Sequence, residues 1–139
     1  MDLQNLQKEL QEDYKREVED VEKKKKEVRK SLAKEIIEKT LMPAFETAHQ
    51  ADKTYRYAEV CVFTYPTKYS IIPAPFDSET IVTYCYPKND LTKLISDEDG
   101  LQTIWDLVCS EKEKYHFDVE RRIFGRNGYF YSFYMDFSD

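Results

Sequence analysis

From Leu3 to His49 the chain has no glycine and a single proline, and its apolar side chains return at Leu3, Leu6, Leu10, Tyr14, Val18, Val21, Val28, Leu32 and Ile36. With Lys25 standing in the one gap, the steps are three or four residues and average about 3.67, the period of an eleven-residue repeat and not of a heptad. Such a helix runs straight or slightly right-handed. Its seam is one residue wide for most of its length, so its first thirty residues cannot bury enough surface to be stable without a neighbour. The pattern therefore predicts a long helix whose interface residues are Leu3, Leu6, Leu10, Tyr14, Val18, Val21, Val28 and Leu32, and whose neighbour is another copy of the chain or a partner protein.

Pro43, in TLMPAFETAHQ, interrupts the pattern. It either kinks the helix or starts a second one with proline at its first position and Thr40 near the cap, and a bend is expected near residues 39–43. Leu41, Phe45 and Ala48 keep one apolar face beyond it, so this second segment is expected to join a core while the first projects. The chain has 139 residues, 41% of them hydrophobic and 14% aromatic. That suffices for one modest core. The expected division is a projecting charged helix over 1–38 and a compact α+β domain over 39–139.

The second half reads as strands around one more helix. YRYAEVCVFTY at 55–65 alternates, with Ala58, Val60 and Val62 on one side and Cys61, Phe63 and Tyr65 on the other. Apolar groups on both faces mark it as central. PTKYSIIPAPFDS at 66–78 holds three of the five prolines, which argues for an ordered, irregular loop and against a central strand. ETIVTYCY at 79–86 is a second strand, and a short turn of helix is expected over 90–95. Ser96 followed by Asp97, Glu98 and Asp99 caps a helix over 97–114, whose buried stripe is Leu101, Ile104, Trp105 and Val108.

HFDVERRIF, GRNG and YFYSFYMDF form a hairpin. A three-residue Arg126-Asn127-Gly128 loop, with Gly128 left-handed, sets Phe117 against Phe137, Val119 against Met135 and Ile123 against Tyr131. A two-residue Asn127-Gly128 turn would mix the faces. Arg121 then falls beside Phe133 on the apolar side and must reach the sheet edge or pair with an acid. The fold class expected is α+β: a long N-terminal helix followed by a small four-stranded, mainly antiparallel sheet packed by one or two helices.

Charge narrows the partners. The net charge is −6, which disfavours binding of a phosphate backbone by the whole molecule. VEKKKKEVRK at 21–30 gathers Lys23, Lys24, Lys25, Lys26, Arg29 and Lys30. Consecutive lysines on a helix point in different directions, and EVEDVE beside them neutralises the run, so a solvated helix face is the plain reading. Lys23, Lys24, Lys26, Arg29 and Lys30, with Arg122 and Arg126 of the hairpin, are the candidate contacts to an anionic partner. Arg121, Arg122 and Arg126 also lie among many Tyr and Phe, a mixture that stacks bases or anchors a protein interface.

Catalytic motifs are missing from the sequence. There is no HxxxH, HExxH or GxSxG, and three glycines make no phosphate cradle. Cys61 or Cys109 would reach His116 only through a contact of the fold. Asp97, Glu98 and Asp99 are explained by helix capping better than by a cation. The three cysteines, Cys61, Cys85 and Cys109, are spaced for neither a disulfide framework nor a zinc site and read as buried thiols. No cofactor is expected, and no enzymatic activity. The opening MDLQNLQKELQED has neither the basic start nor the apolar stretch of a signal peptide, and no run is apolar enough to span a bilayer.

AKEIIEKTLMPAFETA at 33–48 leads into KTYRYAEVCVF, then a short helix, then YHFDVERRIF and a closing aromatic strand. This order resembles small helix-plus-sheet proteins encoded by tailed phages, over about residues 33 to 137. The resemblance implies a virion component or a small accessory protein, including a factor that blocks a host defence. With the helix seam and the missing catalytic motifs, the leading expectation is a viral structural or assembly protein that is non-enzymatic and acts through protein–protein interaction as a homo-oligomer. Its partners would be its own copies or other virion or host proteins, and its place the virion or the host cytoplasm. The alternative expectation is a host-directed inhibitor or ligand sequestrant that uses the acidic, aromatic body to bind a basic protein or a nucleotide.

Overall fold

A computed structural model describes residues 2–76, 78–86, 100–125 and 128–137. The chain opens with helix α1 (Leu3–Ile36), passes through a π-helical turn (Ile37–Leu41) and continues as α2 (Met42–Ala51). Strand β1 (Tyr57–Thr64), β2 (Lys68–Pro73), a 3-10 turn (Ser78–Thr80) and β3 (Val82–Cys85) follow, then α3 (Gly100–Ser110), the single turn α4 (Lys112–Tyr115), β4 (Asp118–Phe124) and β5 (Gly128–Asp136). The strands form one antiparallel sheet in the order β3-β2-β1-β5-β4.

At the proline the helix runs on, so the expected alternative of a separate second helix starting there is not what forms. Pro43 has no N–H to give the carbonyl four residues before it, and its ring crowds that carbonyl. One wide turn absorbs the misfit: the Met42 N–H reaches back five residues to the Ile37 carbonyl, and Ile36, Leu41 and Met42 all keep right-handed helical dihedrals. Thr40 turns its hydroxyl to the Ile36 carbonyl, and Thr47 does the same for Pro43 at 3.0 Å. The result is 49 helical residues without a stop.

The sheet has five strands, not four, because Lys68–Pro73 in the proline-rich stretch is a strand and sits between β1 and β3. The prolines do not prevent it, since they fall outside the doubly paired part. Pro66 precedes the strand and the cis Ala74–Pro75 bond follows it. Pro73 is paired to Val60 alone, because β3 pairs β2 only as far as Ile71 opposite Val82. β1 is central, as expected, between β2 and β5.

The C-terminal hairpin has the expected loop length but another register. Phe124 pairs with Gly128, Val119 with Phe133 and Arg121 with Tyr131, leaving residues 125–127 to close it. The left-handed glycine is Gly125, at φ 67°, and Gly128 is a buried strand residue. The shift is two residues, and with a side-chain period of two it preserves every face assignment. Phe117, Val119, Tyr131 and Met135 therefore turn to the core as expected with other cross-strand partners, whereas Ile123 and Phe137, expected on the same apolar face, are 82% and 46% exposed at its ends. Arg121 is at the edge strand, half exposed, paired to Asp106 at 3.3 Å and stacked 5.1 Å from the Tyr129 ring.

One face of the sheet carries the core. Ala58, Val60, Val62, Tyr69, Ile71, Tyr131 and Phe133 meet Ala33, Ile36, Ile37, Leu41, Phe45 and Ala48 from the long helix and Ile104, Trp105 and Val108 from α3. Trp105 is 1% exposed, and rings stack around it: Tyr69 at 5.3 Å, Tyr131 at 5.4 Å and Phe133 at 6.4 Å. Its polar edge is satisfied, because Nε1–H donates to the Tyr86 hydroxyl at 2.9 Å. Gln102 likewise donates to the Tyr131 hydroxyl at 3.1 Å. Leu101, the fourth member of the expected stripe, is partly buried against the same cluster. The expected helix over 90–95 and its neighbour's cap at Ser96–Asp99 lie outside the described residues.

Candidate functional site

Two surfaces stand out once the core is accounted for: the free length of α1 and a groove at the far end of the long helix.

Asp2 caps α1, its carboxylate accepting from the Gln4 N–H at 3.2 Å. From there every residue to Lys24 is exposed, and the first buried side chain is Ala33. Of the eight expected interface residues, Val28 and Leu32 pack partly buried against the chain's own core. The other six do not: Leu3, Leu6, Leu10, Tyr14, Val18 and Val21 are all exposed, Leu10 at 60% and Tyr14 at 70%. The arm is held locally by ion pairs one turn apart, Arg16 to Asp13 at 3.2 Å and Lys25 to Glu22 at 3.7 Å. Such surface pairs contribute only about 0.3–0.5 kcal/mol each.

Its charges divide along its length. Residues 2–20 carry seven carboxylates against three bases, and residues 21–30 carry six bases against two carboxylates. Lys23, Lys24, Lys26 and Lys30 are exposed, while Arg29 is half-buried where the helix meets the body. Arg122 is exposed on β4, a different element, on the sheet face opposite the core. Arg126 lies outside the described residues.

The second surface was not anticipated. A cavity of about 710 Å³ is lined by Ala48, Ala51 and Asp52 at the end of α2, by Tyr55, Tyr57 and Glu59, by Ala74, Pro75 and Phe76 after β2, and by Tyr134 of β5. The chain just past β2 stays beside β1 at this groove, the Ala74 N–H donating to the Glu59 carbonyl at 2.9 Å. Tyr57 and Glu59 alternate with the buried Ala58 and Val60 and so point to the uncovered sheet face, where Tyr134 stands opposite Glu59. The sequence signal is the Tyr55-Tyr57-Glu59 spacing at the start of β1, which periodicity alone reads as alternation.

Cys61 and Cys109 are poor nucleophiles. Cys61 is buried beside Ser132 at 3.7 Å and Glu59 at 4.0 Å, and burial pushes its pKa up. Burial pushes Cys109 up to about 11, with Asp106 adding to the rise. Both are protonated at neutral pH. Among the described residues no hydrogen bond joins either to His116, which caps α4 in the left-handed region at φ 58° and precedes β4. Cys85 is exposed and Cys109 only half-buried, against the expectation of three buried thiols. Its strand β3 lies at the sheet edge, where Cys85 alternates with Tyr84 and faces away from the core. Among the described residues no three metal-ligating side chains come together, and no helix is long and apolar enough to cross a membrane.

Compared with family models, curated proteins and solved structures, the chain finds no match in any of the three.

Proposed function

We propose that the protein is a non-enzymatic assembly component that acts through protein–protein interaction, joining copies of itself through the α1 arm and presenting the α+β body as a compact head. The observation that carries the reading is the bare seam. Six apolar side chains in one line on an otherwise charged helix gain nothing in water, whereas a second seam laid against them removes them from it. An arm of this composition is a marginal helix alone, so pairing also supplies its order.

The divided charge favours antiparallel pairing. A parallel, in-register pair sets the lysine run against itself, whereas two arms in opposite directions hold their lysine runs at opposite ends. The setting proposed for such a component is a tailed-phage-like particle, on the order of its elements; other virion or host proteins are its further partners.

Light scattering tests this on the full chain and on Leu10→Asp with Val18→Asp, two exposed positions whose change leaves the core intact. The parent should be a dimer or larger and the double variant a monomer with the body's melting temperature retained. A parent that is monomeric at tens of micromolar overturns the reading.

A further inference from the structure

The groove at the end of α2 has a chemistry of its own, and it does not depend on the arm. Four rings face it: Tyr55 and Phe76, 65% and 55% exposed, with Tyr57 and Tyr134 on the sheet. Exposed aromatic rings of this number lose free energy in water and recover it against a flat or cationic group. Every charge in the lining is negative. Glu59 is half-buried, and its hydrogen-bond partners are neutral: Ser132 Oγ at 3.5 Å and Cys61 Sγ at 4.0 Å. Asp52 is held ionised by the Thr54 hydroxyl and then the Thr54 N–H, which keep its carboxyl below the usual value. The C-terminal end of α2 adds the negative pole of a ten-residue helix.

We propose that this groove is a binding site for an arginine side chain carried on an extended segment of a partner protein. Guanidinium is the cation whose plane stacks on rings and whose fork meets a carboxylate with two donors. The chain already makes the stacking half of this contact twice, with Arg56 5.0 Å from the Tyr57 ring and Arg121 5.1 Å from the Tyr129 ring. Arg56 covers the Tyr57 ring and donates to the Tyr57 hydroxyl at 2.9 Å, and among the described residues no ion pair reaches Asp52 or Glu59, which leaves the groove's acids and its other rings to a cation from outside. Size decides between a free cation and a peptide. A guanidinium head fills a small part of 710 Å³, whereas an arginine with its stem and the adjoining backbone occupies a volume typical of ligand sites.

The test is an NMR titration of the full-length chain with a blocked alanine pentapeptide bearing a central arginine, its norleucine and glutamate counterparts, and methylguanidinium alone. The arginine peptide should shift amides of the lining residues. The norleucine peptide should bind at least about tenfold more weakly, and Glu59→Gln should weaken the arginine peptide by about tenfold. Equal binding of arginine and norleucine peptides, an unchanged Glu59→Gln affinity, or shifts confined to other surfaces would overturn the proposal. Methylguanidinium binding as tightly as the peptide would overturn the peptide as occupant. If Glu59→Gln does not fold, the exposed Phe76→Ser gives the reading: loss of binding supports the site, retention removes it.

Discussion

At the residue scale, two positions show how much a single side chain or its absence determines. Trp105 fills the space where the sheet, the long helix and α3 meet, and its N–H is matched to Tyr86. Trp105→Ala removes the ring, leaves a cavity and orphans the Tyr86 hydroxyl, so a loss of about 3 to 5 kcal/mol is expected in urea unfolding. A variant that melts within a degree or two of the parent would contradict this packing. The stripe was legible because it repeats at helical spacing. Its polar partner was not, because Tyr86 lies nineteen residues earlier and meets it only through the fold. Gly125 is the opposite case: a Cβ there meets nothing within 4 Å, so substitution costs only the left-handed backbone. Gly125→Ala should destabilise by about 1 kcal/mol in thermal unfolding, and Gly125→Asn by less. The Asn127-Gly128 pair had drawn attention to the wrong glycine because the two candidates are three residues apart and both close a loop of the same length.

At the scale of elements, periodicity carried furthest where an element is long or buried on both faces, as with α1 and β1. It failed at β2, where prolines counted by number concealed that they sit at the ends, and pairing on each side decides what a proline costs. The arm and the helical stretch beyond it are one continuous element with two environments. Its core end, Ile36 to Phe45, is locked by the sheet, and its free end depends on whatever covers the seam. Amide exchange should therefore be graded: slow through Ile36–Phe45 at any concentration, and from Leu6 to Lys24 slow only while arms are paired, speeding on dilution or in Leu10→Asp with Val18→Asp. Protection of the arm that does not change with concentration or with the double variant would mean that the helix holds itself.

At the scale of the whole molecule, the core sets the phenols of Tyr69, Tyr86 and Tyr131 among its hydrocarbon side chains, and this makes its stability sensitive to alkali. Burial pushes Tyr69 and Tyr131 up to about 12, and raises Tyr86 further, against an ordinary tyrosine value of 10. The Cys109 thiol goes to about 11 and Cys61 also rises, from 9. None of these groups is charged in either state at neutral pH, so none contributes a slope there. Once the pH passes about 9, the unfolded chain begins to lose protons that the folded chain keeps. The unfolded state then binds fewer protons than the native one, and stability must fall as pH rises. The fall should steepen from about pH 10, where the unfolded tyrosines ionise, and ease from about pH 12, where Tyr69 and Tyr131 follow in the folded chain. Melting temperatures followed by circular dichroism should be set by other groups below pH 9 and decline across that window. Tyr131→Phe gives up the Gln102 hydrogen bond but removes one of the titrating phenols, so its curve should start lower and fall less steeply. A parent whose melting temperature holds steady to about pH 12 would show that these rings are open to water in the folded chain, and the sheet and helices would then not be packed as they stand.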